Sequence, residues 1–165
     1  SQALALPALS SSQHIALYLA NDSELDTFPL IQTLWQQGKQ LYLPVLHPFA
    51  AGYLLFVRYD QDTLLYPNRF GIPEPLCDHS AYCPVWTLDM VLTPLVGFDE
   101  YGNRMGMGGG FYDRTFAFLR NNSRPRKPRM VGVAHECQKV ERLPYEQWDI
   151  MMNRIVTGSR QYSAG

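Results

Sequence analysis

No uninterrupted apolar run in these 165 residues reaches the roughly 18 positions that a membrane-spanning helix needs. Residues 1–13 lack a charged region followed by a long apolar stretch, the pattern of a secretory leader. Cysteine is scarce: Cys77, Cys83 and Cys137 make an odd number, and no two stand at the CxxC spacing of a zinc or redox site. These absences predict a reduced, cytoplasmic protein that is neither secreted nor anchored. The formal net charge is only −1, which gives no global attraction to nucleic acid or to an anionic membrane surface. An anionic ligand must therefore be met locally. His14, His47, His79 and His135 show no metal-ligand spacing, and there is no internal repeat or low-complexity tract.

What the chain has is a hydrophobic content of 46%, enough for one sizeable core, and one domain over residues 1–165 is expected. Short runs rich in β-branched and aromatic residues alternate with helical patterns, the signature of a parallel or mixed sheet covered by helices. Residues 14–20 read as a first strand. Residues 26–38 place Leu30, Ile31, Leu34 and Trp35 on one helical face, with Asp26 or Thr27 to cap, Pro29 in the first turn and Gly38 at the end. A second strand over 39–46 completes a βαβ unit. Strands are further predicted over 54–60, 90–98, 129–134 and 154–157, with regular pairing of 90–98 ending at Pro94. Between 67 and 84, Pro67, Pro73, Pro75 and Pro84 cannot donate ladder hydrogen bonds, which predicts an irregular excursion.

The informative segment is residues 98–116, FDEYGNRMGMGGGFYDRTF, where five of the twelve glycines fall within 102–113. Without Cβ atoms, several backbone N–H groups can converge on an anion. Residues 111–120 have helical spacing, with Phe111, Thr115 and Phe118 or Leu119 on one side. A strand, a glycine-rich loop and a helix start make a phosphate cradle. The alternative is a purely structural glycine turn, because neither GxxxxGK[ST] nor GxGxxG with its distant acid is present.

The run PLVGFDEYGNRMGMGGGFYDRTF resembles the signature of the 5-formyltetrahydrofolate cyclo-ligase family. The likeness continues in order through ELDTFPLIQTLWQQGK at 24–39, YLPVL at 42–46, GIPEP at 71–75 and LPYEQWD at 143–149. This resemblance implies a three-layer, Rossmann-like α/β fold and a reaction turning 5-formyltetrahydrofolate and ATP into 5,10-methenyltetrahydrofolate, ADP and phosphate. It implies that ATP phosphorylates the formyl oxygen before nitrogen 10 attacks. Gly106, Met107, Gly108, Gly109, Gly110, Phe111 and Tyr112 would form the nucleotide loop, Arg104 would contact phosphate oxygens, and Asp113 would ligate Mg²⁺. Glu24 would accept hydrogen bonds from the pterin, while Leu19, Phe70, Met107, Phe111 and Tyr112 would line the folate pocket. Trp35 and Trp148 are assigned to packing. Each of these residues also has an ordinary structural role open to it: a solvated charge for Arg104, a helix-start acid for Asp113, core for the apolar side chains.

Two departures stand out. Members of the family begin with an additional helix carrying Lys and Arg, whereas residues 1–13 hold no basic residue, so either the chain is truncated or those contacts are missing. Where relatives carry a second acidic metal ligand, this chain has Asn153, an amide that can ligate Mg²⁺ without adding charge; Asp149 is the other candidate. The expected partner is a reduced folate with or without a polyglutamate tail; the cluster Arg120, Arg124, Arg126, Lys127 and Arg129 reads as a solvated loop, with contact to such a tail or to phosphates as the sharper alternative. No nucleic acid or membrane partner is expected, and a monomer is expected. Two rivals remain, a noncatalytic folate- or nucleotide-binding relative and an RNA-binding domain using residues 120–129.

Overall fold

Alternating apolar residues along short strands leave two faces to be covered, and among the described residues a helix packs on each. The computed structural model describes residues 9, 11–19, 27–75, 82–94, 97–98, 104–105, 111–120, 128–133, 152, 154–156 and 161–163. Within them, β1 (His14–Ala16) leads through α1 (Phe28–Gln36) to β2 (Gln40–Leu46), followed by β3 (Leu54–Tyr59), β4 (Leu65–Pro67), β5 (Pro73–Pro75) and β6 (Tyr82–Cys83). Next come β7 (Met90–Pro94), β8 (Gly97–Phe98), β9 (Arg104–Met105), α2 (Phe111–Thr115), β10 (Arg129–Val133), β11 (Arg154–Val156) and β12 (Gln161–Ser163).

Eight strands form one sheet in the order β12-β11-β10-β7-β1-β2-β3-β6. The five from β11 to β2 run parallel, while β12, β3 and β6 pair antiparallel with their neighbours. All five residues of β7 are buried, as a central strand covered on both faces requires. Along β1 and β7, side chains alternate between two cores. Ile15, Met90 and Leu92 join Leu30, Ile31 and Leu34 of α1. Ala16 and Val91 join Phe56, Met130 and Phe116, with Phe111 and Tyr112 of α2 packed against them. The result is the expected three-layer α/β arrangement with a mixed sheet.

The helix prediction for 26–38 holds over α1, with Leu30, Ile31 and Leu34 buried and Pro29 in its first turn. Thr27 occupies the cap position, yet its hydroxyl donates to the Tyr18 carbonyl at 2.6 Å rather than capping the helix. Gly38, at φ +79°, turns the chain into β2. Regular strand β1 is shorter than the expected 14–20, although Leu17 N still donates to Tyr42 O at 3.0 Å. Strand β7 ends at Pro94, as read from the sequence.

Two expectations are corrected. Residues 67–84 are not wholly irregular: the β4–β5 hairpin pairs Leu65 with Pro75 and Pro67 with Pro73, because a two-strand ladder can do without those donors. The helix over 111–120 is α-helical only to Thr115 and continues as a 3₁₀ turn over Ala117–Arg120. The break seats Phe116, fully buried with its ring 5.7 Å from that of Phe56. Strand β12 was not foreseen. No helix among the described residues is long and apolar enough to cross a membrane.

Candidate active site

A parallel sheet offers ligands a crevice outside its carboxyl ends, where successive connections leave in opposite directions. Here the chain leaves β1 for β2 on one side and later returns to β7 on the other, so the switch point lies between β1 and β7. Both sequence blocks singled out above issue from this point. Leu17, Tyr18 and Leu19 follow β1 and lead into residues 20–26, whose two flanks are joined by the Thr27 to Tyr18 hydrogen bond. The β8–β9 hairpin follows β7, pairing Phe98 with Arg104, and residues 106–110 then lead into α2.

Glu24, Gly106, Met107, Gly108, Gly109, Gly110, Asp149 and Asn153 lie outside the described residues, as do Trp148 and the basic residues Arg124, Arg126 and Lys127. Arg104 is described as part of β9 without its side chain. Leu19 is half-buried and packs on the α1 side of the sheet, whereas Phe111 and Tyr112 are half-buried on the α2 side. The sheet separates these two groups, so the carboxyl edge is where one ligand can reach both. Asp113 is half-buried in the first turn of α2, and Tyr112 stacks on Phe116 with centroids 6.4 Å apart. Phe70 is 58% exposed at the tip of the β4–β5 hairpin, with the Arg69 guanidinium 4.8 Å above its ring.

α2 is held from below. Leu54 N, at the start of β3, donates to Thr115 Oγ1 at 2.9 Å, and Arg114 Nη1 donates to Gly52 O at 3.2 Å. Gly52 has φ +86°, and a Cβ there would lie 2.7 Å from Arg114 Nη1, so this contact needs glycine on both counts. With only five α-helical residues, α2 has a small dipole. That dipole alone would therefore contribute little to holding an anion.

No group of three His, Cys, Asp or Glu that could hold a metal occurs among the described residues. Mg²⁺ asks for less, since it keeps several waters and takes one or two carboxylates beside phosphate oxygens. The hard carboxylate of Asp113, three residues past Gly110, fits that demand. The resolved acid–base perturbations lie elsewhere. Burial first, and then the charge and hydrogen bond of Cys83, push the Tyr42 hydroxyl up to about 12, with Arg58 opposing. Tyr42 Oη contacts His14 Nδ1 at 3.0 Å and donates to Gln40 Oε1 at 3.1 Å, at the amino ends of β1 and β2. Burial also raises Tyr59.

Two residues at the carboxyl edge escaped the sequence reading. Thr93 Oγ1, next to the end of β7, is buried without a hydrogen-bond partner among the described residues. Glu74 Oε2 accepts from Leu46 N at 2.8 Å and from Asn68 Nδ2 at 2.9 Å. Glu74 stood in the GIPEP block, which was the available signal; Thr93 gave none.

Comparison with known proteins bears on the whole chain. The profile of the 5-formyltetrahydrofolate cyclo-ligase family matches residues 1–158. The chain is similar to the 5-formyltetrahydrofolate cyclo-ligase of Escherichia coli, 51% identical over 154 residues covering 93% of this chain and 82% of that protein. Its likeness to the Haemophilus influenzae protein of the same name is 49% over 156 residues, 94% of this chain and 81% of the relative. Among solved structures, the NMR structure of Aquifex aeolicus 5,10-methenyltetrahydrofolate synthetase matches with a TM-score of 0.78 at 31% identity, covering 99% of this chain and 77% of the other. The Mycoplasma pneumoniae 5,10-methenyltetrahydrofolate synthetase shares the fold, at a TM-score of 0.65 and 22% identity, covering 93% of this chain and 79% of that one.

Proposed function

The chain belongs to the 5-formyltetrahydrofolate cyclo-ligase family, and from that premise we propose that the crevice at the carboxyl ends of β1 and β7 is its active site. The activity is the conversion of 5-formyltetrahydrofolate to 5,10-methenyltetrahydrofolate. A formyl group on nitrogen 5 is an amide, whose oxygen leaves poorly and whose carbon is a weak electrophile. ATP overcomes both faults by phosphorylating that oxygen; nitrogen 10 then attacks the carbon, and the carbon–oxygen bond breaks with loss of phosphate. This chemistry needs positioning and charge neutralisation more than a protein nucleophile.

The backbone N–H groups of residues 106–110 and the guanidinium of Arg104 would bind the phosphates, and Asp113, with Asn153 or Asp149 as second donor, would hold Mg²⁺. When bound, that ion neutralises charge on the transferring phosphoryl group. Glu24 would accept hydrogen bonds from the pterin edge, while Leu19, Phe70, Met107, Phe111 and Tyr112 would offer it apolar surface. We further read residues 1–165 as one domain acting as a monomer. A reduced cytoplasmic setting fits the buried, unpaired Cys83.

The observation that carries the site is topological: the Glu24 block and the glycine segment leave the sheet from adjacent strands at its switch point. The test is the ultraviolet absorbance of methenyltetrahydrofolate formed from 5-formyltetrahydrofolate, ATP and Mg²⁺. Turnover is expected in the native chain. Asp113→Asn should lose most of it at limiting Mg²⁺ while costing below about 1 kcal/mol of stability, the scale of a helix-start charge. Binding of both ligands without turnover would support the noncatalytic alternative, and full Asp113→Asn activity would remove the metal assignment.

A further inference from the structure

The β4–β5 hairpin is poorly equipped to hold itself in place. Three of its six strand residues, Pro67, Pro73 and Pro75, have no N–H to give the ladder. A two-stranded ribbon of this length is marginal alone. Its tip is nonetheless closely specified. Asn68 Oδ1 accepts from Phe70 N at 2.8 Å and Ile72 N at 3.1 Å, while Asn68 N donates to Ile72 O and Gly71 N to Asn68 O, both at 2.9 Å. Gly71, at φ +77°, supplies the left-handed position that this tight loop requires. A turn so thoroughly bonded presents Phe70 and Ile72, both at least half exposed, in fixed directions.

Glu74 connects this tip to the sheet. One carboxylate oxygen receives both Asn68 Nδ2, from the tip, and Leu46 N, the last residue of β2. Donors sharing one oxygen at 2.9 and 2.8 Å are necessarily neighbours. Because β2 runs parallel to β1, its last residue lies at the same carboxyl edge as Leu19 and the entry to residues 20–26. Leu65 of the hairpin also packs on the core that Leu19 joins.

We propose that Glu74 is a positioning residue for the folate, clamping the β4–β5 hairpin onto the carboxyl end of β2 so that Phe70 and Ile72 form a rigid apolar rim to the crevice. The proposal rests on the reading that this crevice takes the folate. A preorganised rim lowers the ordering cost of binding, so the effect should fall on folate affinity and not on the nucleotide. Kinetics of Glu74→Ala, Glu74→Gln, Phe70→Ala and the Phe70→Ala/Glu74→Ala pair test it. Glu74→Ala should raise the KM for 5-formyltetrahydrofolate about tenfold, with the KM for ATP and kcat within about twofold. Glu74→Gln keeps an acceptor oxygen and should recover most of the loss. In the Phe70→Ala background, Glu74→Ala should add less than about twofold, because residues acting through one another are not additive.

Hydrogen exchange at the Leu46 amide in the unliganded protein reads the clamp directly and should accelerate in Glu74→Ala. Accelerated exchange with an unchanged folate KM would overturn the positioning role. Equal rises for folate and ATP would mark general damage and overturn it too. Full additivity with Phe70→Ala would break the link to the rim. If the native chain turned over no folate, the functional reading and with it the folate role would fall, and exchange at Leu46 would judge the clamp alone.

Discussion

Thr93 carries a hydroxyl at a place where an apolar side chain would be cheaper. Its Oγ1 is buried at the carboxyl end of the central strand and has no hydrogen-bond partner among the described residues. Leaving such a group unpaired costs about 1–3 kcal/mol. Valine has nearly the same shape without that cost, so Thr93→Val is expected to raise the urea midpoint by about 1 kcal/mol equivalent. A lower midpoint would show that the hydroxyl is satisfied in solution. Asp113 and Glu74 differ from Thr93 in kind, since their carboxylates are read here as tools for ligand and hairpin rather than as tolerated costs.

At the scale of the element, α2 is the piece that joins packing to chemistry. Phe116, just past its end, is fully buried, while Phe111, Tyr112 and Asp113, the residues proposed for the site, are half-buried. The helix is too short to hold itself, so its attachment to β3 matters. Thr115→Val would strip the acceptor from the buried Leu54 N–H while keeping the volume. A stability loss of about 1–3 kcal/mol is expected, with turnover falling more steeply with temperature than in the native protein. Denaturant unfolding alongside activity at two temperatures checks this. An unchanged midpoint would mean that the Arg114 to Gly52 contact suffices to hold α2.

On the scale of the whole molecule, a ligand at the proposed switch-point site would touch segments from both sides of the sheet and so would bind only the folded chain. MgATP at 100 times its Kd should therefore add about 2.7 kcal/mol to the unfolding free energy. Gly109→Val, which would put a β-branched side chain into the proposed phosphate loop, should lose most of that gain at the same nucleotide concentration. A gain equal to that of the native protein would place the phosphates elsewhere. The layer architecture was legible in the sequence because burial repeats at the periods of strand and helix: α1's buried face, the βαβ unit and the end of β7 at Pro94 follow from local pattern. The family, too, was legible, since its blocks are linear in the chain. Tertiary structure alone decided that Leu19 and Phe111 stand on opposite faces of the sheet. It alone decided that Thr27 bonds Tyr18 instead of its own helix, and that Glu74 reaches back 28 residues to Leu46. Periodicity reports which way a residue faces within its own element. Which distant donor it meets is set by strand order and register, and those depend on the whole sheet at once.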